Sequence, residues 1–322
     1  MKRLLRTLLA IVLAGVAGLA VAQPYPAQPV KVVVGYTPGA ENDLVARLVA
    51  DRLSRQLGQP FVVENKPGAS GVIGAEYVAR AAGDGYTLLL GNTTLLGILK
   101  SLRADLPYDP LDFEPVSIIA TIPTVLVVNS SLPAKDVEEL IALAKARPNG
   151  LTFASPGAGT PMHLTGEMFK GQTAANLVHV PYKGAAPAVA DLLAGHVDLM
   201  FQNVPTVLPH IRSGKLRVLA TSNASRLAIL PDVPTLAEAG VPNAESFSWF
   251  AIVAPKGTPK SVTTLLQAEI SKALKTTEAR QKLEALGADP LGSSPTEAAA
   301  HIRKEIDKWA HVIHQAGLKA GN

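Results

Sequence analysis

The sequence contains no cysteine. Disulfide staples, thiolate metal sites and a lipid-modified N-terminal cysteine are therefore excluded. Aromatic residues make up only 5% of the chain, so its stability must come from the packing of small strands and Ala/Leu-rich helices. Beyond the first 22 residues no apolar run reaches the roughly 18 residues that a spanning helix needs. Neither the phosphate-binding G-x-x-x-x-G-K-[ST] motif nor the G-x-S-x-G nucleophile elbow occurs. The chain also lacks low-complexity segments and charge runs, and nothing in it calls for a cofactor.

Residues 1–22 carry the pattern of a secretory signal peptide. Lys2, Arg3 and Arg6 precede the apolar run Leu8 to Ala20, and Ala20-Val21-Ala22 is a small-x-small cleavage pattern just before Gln23. This segment holds three of the 30 Lys and Arg residues and none of the 26 acids. The expected mature chain is thus almost neutral, which argues against a nucleic-acid surface. About 300 residues are enough for two domains.

Strand and helix signals alternate along the mature chain. Val30 to Val34 reads as a buried strand, Asp43 to Leu57 as an amphipathic helix ended by Gly58, and Phe61 to Val63 as a strand. Gly71 to Ala82 reads as a helix and Tyr86 to Leu90 as a strand. The alternation restarts after Val125, with strands at Leu151 to Ala154, Leu177 to His179, Val197 to Phe201 and Leu216 to Ala220. Helices are expected over Asp136 to Ala146, Pro161 to Gly171 and Gly184 to Ala194. The last 65 residues read as mainly helical. This order predicts an α/β protein with parallel sheets covered by helices. Thr124 to Asn129 and Phe247 to Ala254 read as strands crossing between two domains. Domain 1 would be 23–124 with 247–322, and domain 2 would be 125–246. Two crossings make a hinge, and the hinge makes a cleft.

Ligands of open α/β sheets bind beyond the carboxyl ends of strands, so four strand-to-helix loops stand out. The first runs from Gly35 to Asp43 and includes Tyr36, Gly39 and Ala40, with Asn42 as a candidate N-cap. The second runs from Ser155 to His163 and includes Gly157 and Gly159, with Thr160 as N-cap and Pro161 at the first helical position. Each aims backbone amides and a helix start at the same place, a composition suited to anions; each is equally readable as an ordinary βα turn. Neither loop contains arginine. The other two loops carry Asn92 and Thr93 in one half and Gln202 in the other. These residues suit either a polar ligand or the capping of the following helix. The triple Gly68-x-x-Gly71-x-x-Gly74 lacks dinucleotide-binding spacing. His301, His311 and His314 read as solvated rather than metal-binding, and nothing in the spacing of Ser155, His163 and Asp198 supports a triad.

The motifs taken in order have a close parallel. GYTPGAENDLVARLVA from Gly35, LGQPFVVENKPGASGVIGAEYVARAAGDGYTLLLG from Leu57, YDPLDFEPVSIIA from Tyr108, PNGLTFASPGAGTPMHL from Pro148, HVPYKGAAPAVADLLAGHVDLMF from His179 and LPDVPTLAEAG from Leu230 run through nearly the whole mature chain. In these segments the sequence resembles the receptor family of tripartite tricarboxylate transporters, the Bug family of extracytoplasmic solute receptors. The resemblance implies a type II periplasmic binding protein fold, with two lobes, mainly parallel central sheets and two crossover strands. It implies a non-enzymatic, monomeric periplasmic receptor that holds a small carboxylate and delivers it to one large and one small integral membrane subunit; a ligand-sensing subunit for a membrane kinase is the alternative. Carried over by position, the implied ligand contacts are Tyr36, Gly39, Ala40, Asn92, Ser155, Gly157, Gly159 and Thr160, then His163 and Asp198. The sequence departs from the family pattern at Tyr36, Thr37, Ala40 and Glu41-Asn42. Glu41 either favours an amine-bearing ligand or faces solvent at the helix start.

Overall fold

The computed structural model describes residues 25–318; the signal-peptide reading of residues 1–22 lies outside them. In chain order the first elements are β1 (Val30–Val34), α1 (Glu41–Leu57), β2 (Phe61–Asn65), α2 (Val72–Ala79), β3 (Thr87–Asn92) and β4 (Glu114–Asn129). They are followed by α3 (Val137–Ala146), β5 (Leu151–Ser155), α4 (Pro161–Thr173), β6 (Leu177–Pro181), α5 (Ala185–Ala194), β7 (Leu199–Asn203), α6 (Val204–Arg212) and β8 (Leu216–Thr221). The chain ends with β9 (Phe247–Ala254), α7 (Lys260–Leu274), α8 (Thr277–Ala285), the short β10 (Asp289–Pro290) and α9 (Pro295–Gln315).

The fold is α/β with two lobes. In lobe one, β2, β1 and β3 are parallel. Strand β1 buries both its faces. Val32 packs with α1 and α7 residues such as Val45 and Leu266, whereas Val33 packs with Val72, Trp249 and Ile302 on the other side. A strand covered on both sides needs no polar alternation, hence the run VKVVV. In lobe two, β6, β5 and β7 are parallel, again between two cores.

The sheets are mixed rather than mainly parallel, and the path of the chain explains why. β4 is one long strand belonging to both lobes. Through Pro123 it pairs with β9, and from Thr124 it pairs with β7 and β8. Strands β1, β3, β5 and β7 all point their carboxyl ends at the junction. β4 arrives at that junction from lobe one and runs away from it in lobe two, so it is antiparallel to β7. β9 brings the chain back and is antiparallel to both β4 and β3.

The sequence reading starts this strand only at Thr124. Its first half escapes because Pro115 and Pro123 interrupt it, and the pairing with β9 shifts register between Pro115 and Ser117 and again between Ile118 and Ala120. Helix α6 is also absent from the reading, since Pro205 and Pro209 look like breakers. α9 is not confined to lobe one. Ala298, Ile302 and Ile306 pack into that core, but Trp309, Val312 and Ile313 pack into the core of lobe two. At ~1.5 Å per residue a 21-residue helix is long enough to reach both.

The glycine triple proves to be a packing device. A Cβ on Gly35 would lie 2.6 Å from Cα of Gly71, and one on Gly74 would lie 2.9 Å from Cα of Gly35. The end of β1 thus touches the start of α2 through backbone alone.

Candidate ligand-binding site

The carboxyl ends of β1 and β3 face those of β5 and β7 across a cleft of about 380 Å³. Lobe one contributes Tyr36, Ala40, Glu41, Asn42, Asn92, Thr93 and Thr94 to its walls. Lobe two contributes Thr160, Met162, Ala185, Gln202, Asn203 and Thr206. Ser248, Trp249 and Phe250 of β9 also line it. Among the described residues that line it, Glu41 is the only acidic side chain, and there is no Lys, Arg or His.

The lobe-one wall is a hydrogen-bonded unit. Asn92 Nδ2 donates to Tyr36 Oη and to Asn42 Oδ1, both at 3.0 Å, and Asn92 Oδ1 accepts from the Leu95 amide. The Tyr36 hydroxyl donates to the Ser70 carbonyl at 3.1 Å, and burial raises its pKa. Helix α1 begins at Glu41 with Ala40 as its N-cap, not Asn42, and no side chain caps it. Alanine has no oxygen to offer, and Asn42 lies inside the first turn, where its Oδ1 serves Asn92. The first helical bond runs from Leu44 N–H to the Ala40 carbonyl. Among the described residues, the amides of Glu41, Asn42 and Asp43 therefore have no protein acceptor. The Gly39 amide is taken, at 2.9 Å, by Oδ2 of the buried Asp43. Burial pushes the Asp43 carboxyl up, but bonds from Arg47, Gly39 and Asn65 outweigh it and hold its pKa below the usual range.

The lobe-two wall is closed on itself. Thr160 caps α4 by accepting from the His163 amide at 3.3 Å, and its hydroxyl donates to the Gly157 carbonyl at 2.7 Å. Gly159 N–H donates to His163 Nδ1 at 3.0 Å. His163 stacks on His179 at 3.8 Å, and Ser155 Oγ bonds His179 Nε2 at 2.7 Å. Burial lowers the pKa of His163 to about 3 and that of His179 to about 4, so both rings are neutral. Ser155, Gly157, Gly159 and His163 thus build the loop from behind and do not line the cleft. Ser155 meets a histidine, but a different one from that in the imagined triad. Asp198 sits at the far end of β7, held by Thr152 and Arg147; the direction of the strand puts it away from the cleft.

Gln202 and Asn203 end β7 rather than lying in a loop, because the strand starts two residues later than its apolar run suggests. Gln202 Oε1 accepts from the Asn203 amide at 2.8 Å. Its Nε2 is buried and has no protein acceptor, although the residue is only 1% exposed. Asn203 Oδ1 accepts from Thr124 Oγ1 and Ser248 Oγ, each at 3.2 Å, and so ties both interlobe strands at the cleft floor. Trp249 is fixed there by its amide, which donates to Thr93 Oγ1 at 2.9 Å, and by its indole, which donates to the buried Glu305 at 3.0 Å. Of the expected residues, Tyr36, Ala40, Asn92, Thr93, Thr160 and Gln202 meet at the cleft. Thr94 and Asn203 also line it, from the same two segments that the sequence marks as polar; Thr206, inside α6, and Ser248, inside β9, were missed.

One histidine reading changes. His311 and His314 are exposed on α9, but His301 is not solvated. It stacks on Phe247 and meets Trp249 edge-on, and its Nε2 is buried without a partner. Among the described residues no group of His, Asp and Glu could hold a metal, and no helix is long and apolar enough to cross a membrane.

Comparison with known proteins agrees with this architecture. Residues 45–318 match the family described as tripartite tricarboxylate transporter family receptor. Protein BugT of Bordetella pertussis is 42% identical over 322 residues, covering 99% of each chain. The structure of R. palustris Rpa4515 with adipate is 40% identical with a TM-score of 0.78, covering 91% of this chain and 98% of that one. MatC from Rhodopseudomonas palustris with bound malate is 33% identical with a TM-score of 0.74, covering 90% of this chain and 100% of that one. Two lobes meeting at a cleft, together with these likenesses along nearly the whole chain, establish that the protein belongs to the tripartite tricarboxylate transporter receptor family and has its solute-binding fold.

Proposed function

We propose that the protein is a periplasmic receptor that takes a small organic carboxylate into the cleft between its lobes and delivers it to a membrane transporter of one large and one small integral subunit. The domains are taken as 23–124 with 247–322, and 125–246, with the last turns of α9 leaning on the second. The observation that carries the reading is the supply of unpaired donors around a cleft without a cation: the first-turn amides of α1 and the Nε2 of Gln202. A carboxylate taken from water needs several hydrogen bonds, and one helix terminus alone gives only ~0.3–1 kcal/mol. Tyr36, Ala40, Asn92, Thr93, Thr160 and Gln202 are the proposed wall. The adipate and malate held by two relatives support a carboxylate here.

Closure draws its energy from contacts shared by both lobes, and the link of Asn203 to both interlobe strands supports a hinge next to the ligand. Thermal-shift titration of the mature protein with a panel of mono- and dicarboxylates tests the reading. A ligand at 100 times its Kd stabilises the folded state by ~2.7 kcal/mol. A flat response across the panel, or failure of the loaded receptor to retain integral subunits from host membranes, overturns it.

A further inference from the structure

The charge balance of the cleft narrows the ligand class, on the reading just given. Glu41 lines the cleft as its only charged side chain, and it makes no ion pair or hydrogen bond among the described residues. The contrast with its neighbour is informative. Asp43, two residues on, is held by Arg47 at 2.8 Å, by the Gly39 amide and by Asn65. Arg47 divides itself between Asp43 and Asn65, at 2.8 and 3.2 Å, and is not directed to Glu41. Nothing in the wall neutralises the Glu41 carboxylate except the positive end of α1.

A dicarboxylate entering this cleft would bring two negative charges to a wall that already carries one and has no cation. A second, independent feature fixes the other end. Gln202 is 1% exposed, its Oε1 is engaged by the Asn203 amide, and its Nε2 is left as an unpaired buried donor in the cleft wall. A buried donor without an acceptor is costly, and a carboxylate oxygen is the acceptor that a negatively charged solute supplies. Lobe one thus presents an unpaired anion, and lobe two presents an unpaired donor.

We propose that the ligand is a zwitterion, an ammonium carboxylate whose cationic nitrogen pairs with Glu41 while its carboxylate accepts from Gln202 Nε2 and the open helix amides.

The test is calorimetric titration of the mature protein with norleucine, 6-aminohexanoate, hexanoate and adipate, which share a six-carbon skeleton and differ in charge. Wild type is expected to bind at least one ammonium-bearing member about tenfold or more tighter than hexanoate and adipate, which corresponds to ~1.4 kcal/mol. Glu41→Gln should erase that ratio by weakening the ammonium-bearing ligands while hexanoate binds no weaker than to wild type, and Glu41→Lys should turn the preference to adipate. Glu41 is exposed at a helix start, so both variants should melt with the wild type. Adipate binding tightest, or a ratio unmoved in Glu41→Gln, overturns the zwitterion and leaves the carboxylate receptor standing. No binding by any of the four overturns both.

Discussion

The two loops that face each other across the cleft share one device and differ in what it leaves free. In each, a glycine two residues before the helix gives its amide to the side chain of the third helical residue: Gly39 to Asp43, and Gly159 to His163. In lobe two the N-cap is Thr160 and the first helical residue is proline. Cap and proline together leave little of α4 unpaired. In lobe one the N-cap is alanine, and three amides remain open. The lobe-two loop is therefore a finished rigid edge, while the lobe-one loop keeps its donors for something other than the protein. A helix start is a binding site only where its own sequence has failed to cap it.

This contrast can be broken at the glycine clamps. Asp43→Ala removes a buried carboxylate that holds Gly39, Arg47 and Asn65, and should cost about 3 kcal/mol in chemical denaturation as well as ligand affinity. Asp43→Asn keeps an acceptor and should recover part of both. Gln202→Glu preserves the acceptor for the Asn203 amide but replaces the free donor by a charge. Carboxylate affinity should fall more than tenfold in calorimetry (~1.4 kcal/mol per tenfold), and the melting temperature should fall too, because the new carboxylate is buried without a partner.

Two cap exchanges sharpen the comparison with smaller effects. Thr160→Val should lower stability by about 1 kcal/mol yet leave carboxylate affinity nearly intact, because its hydroxyl is already bound to Gly157 and the His163 amide. Ala40→Ser should act in the opposite way, raising stability by about 0.5–1 kcal/mol and weakening the ligand, since the new hydroxyl takes an amide the ligand would use. Equal affinity losses in the two variants would contradict the asymmetry.

Acid separates the lobes most gently. His163 and His179 are held to about 3 and about 4 by burial first and by neighbouring charges second, against about 6.5 when exposed. Unfolding in mild acid therefore takes up protons, and the stability they contribute is complete above about pH 6.5 and declines as the pH falls towards their folded values. The Asp43 contribution, with its pKa held down, persists until the pH drops below about 4. At pH 5, hydrogen exchange should quicken in residues 156–164 before residues 36–44. Simultaneous loosening would argue that the imidazole stack does not set the lobe-two loop.

Much of this was legible in residue order. Alternating apolar runs and helical stripes gave the α/β elements because the central strands are buried on both faces, as most of the VKVVV run is. The Thr160-Pro161 helix start reads directly, since a cap and a fixed φ are local chemistry. Other features are not local. Asn42 looks like a cap, but the side chain of Asn92 claims it. Asp198 is a ligand contact by the family resemblance, but strand direction turns it away. Pro115, Pro123, Pro205 and Pro209 hide β4 and α6 because a proline is read as a break, while a register shift beside Pro115 and the open first turn of α6 at Pro205 absorb two of them.

The sequence by itself determined the alternation of elements, the absence of thiols and nucleotide-binding motifs, and the family, because these depend on composition, periodicity and neighbouring residues. Only the tertiary structure decided which polar groups are already paired. It left Gln202 Nε2 and the α1 amides open, closed Thr160 and Ser155, and made Glu41 the lone charge of the cleft. Hydrogen-bond satisfaction is a property of residues far apart in the chain brought within 3 Å of each other, as Asn92 and Tyr36 are at 3.0 Å, and no local pattern records it.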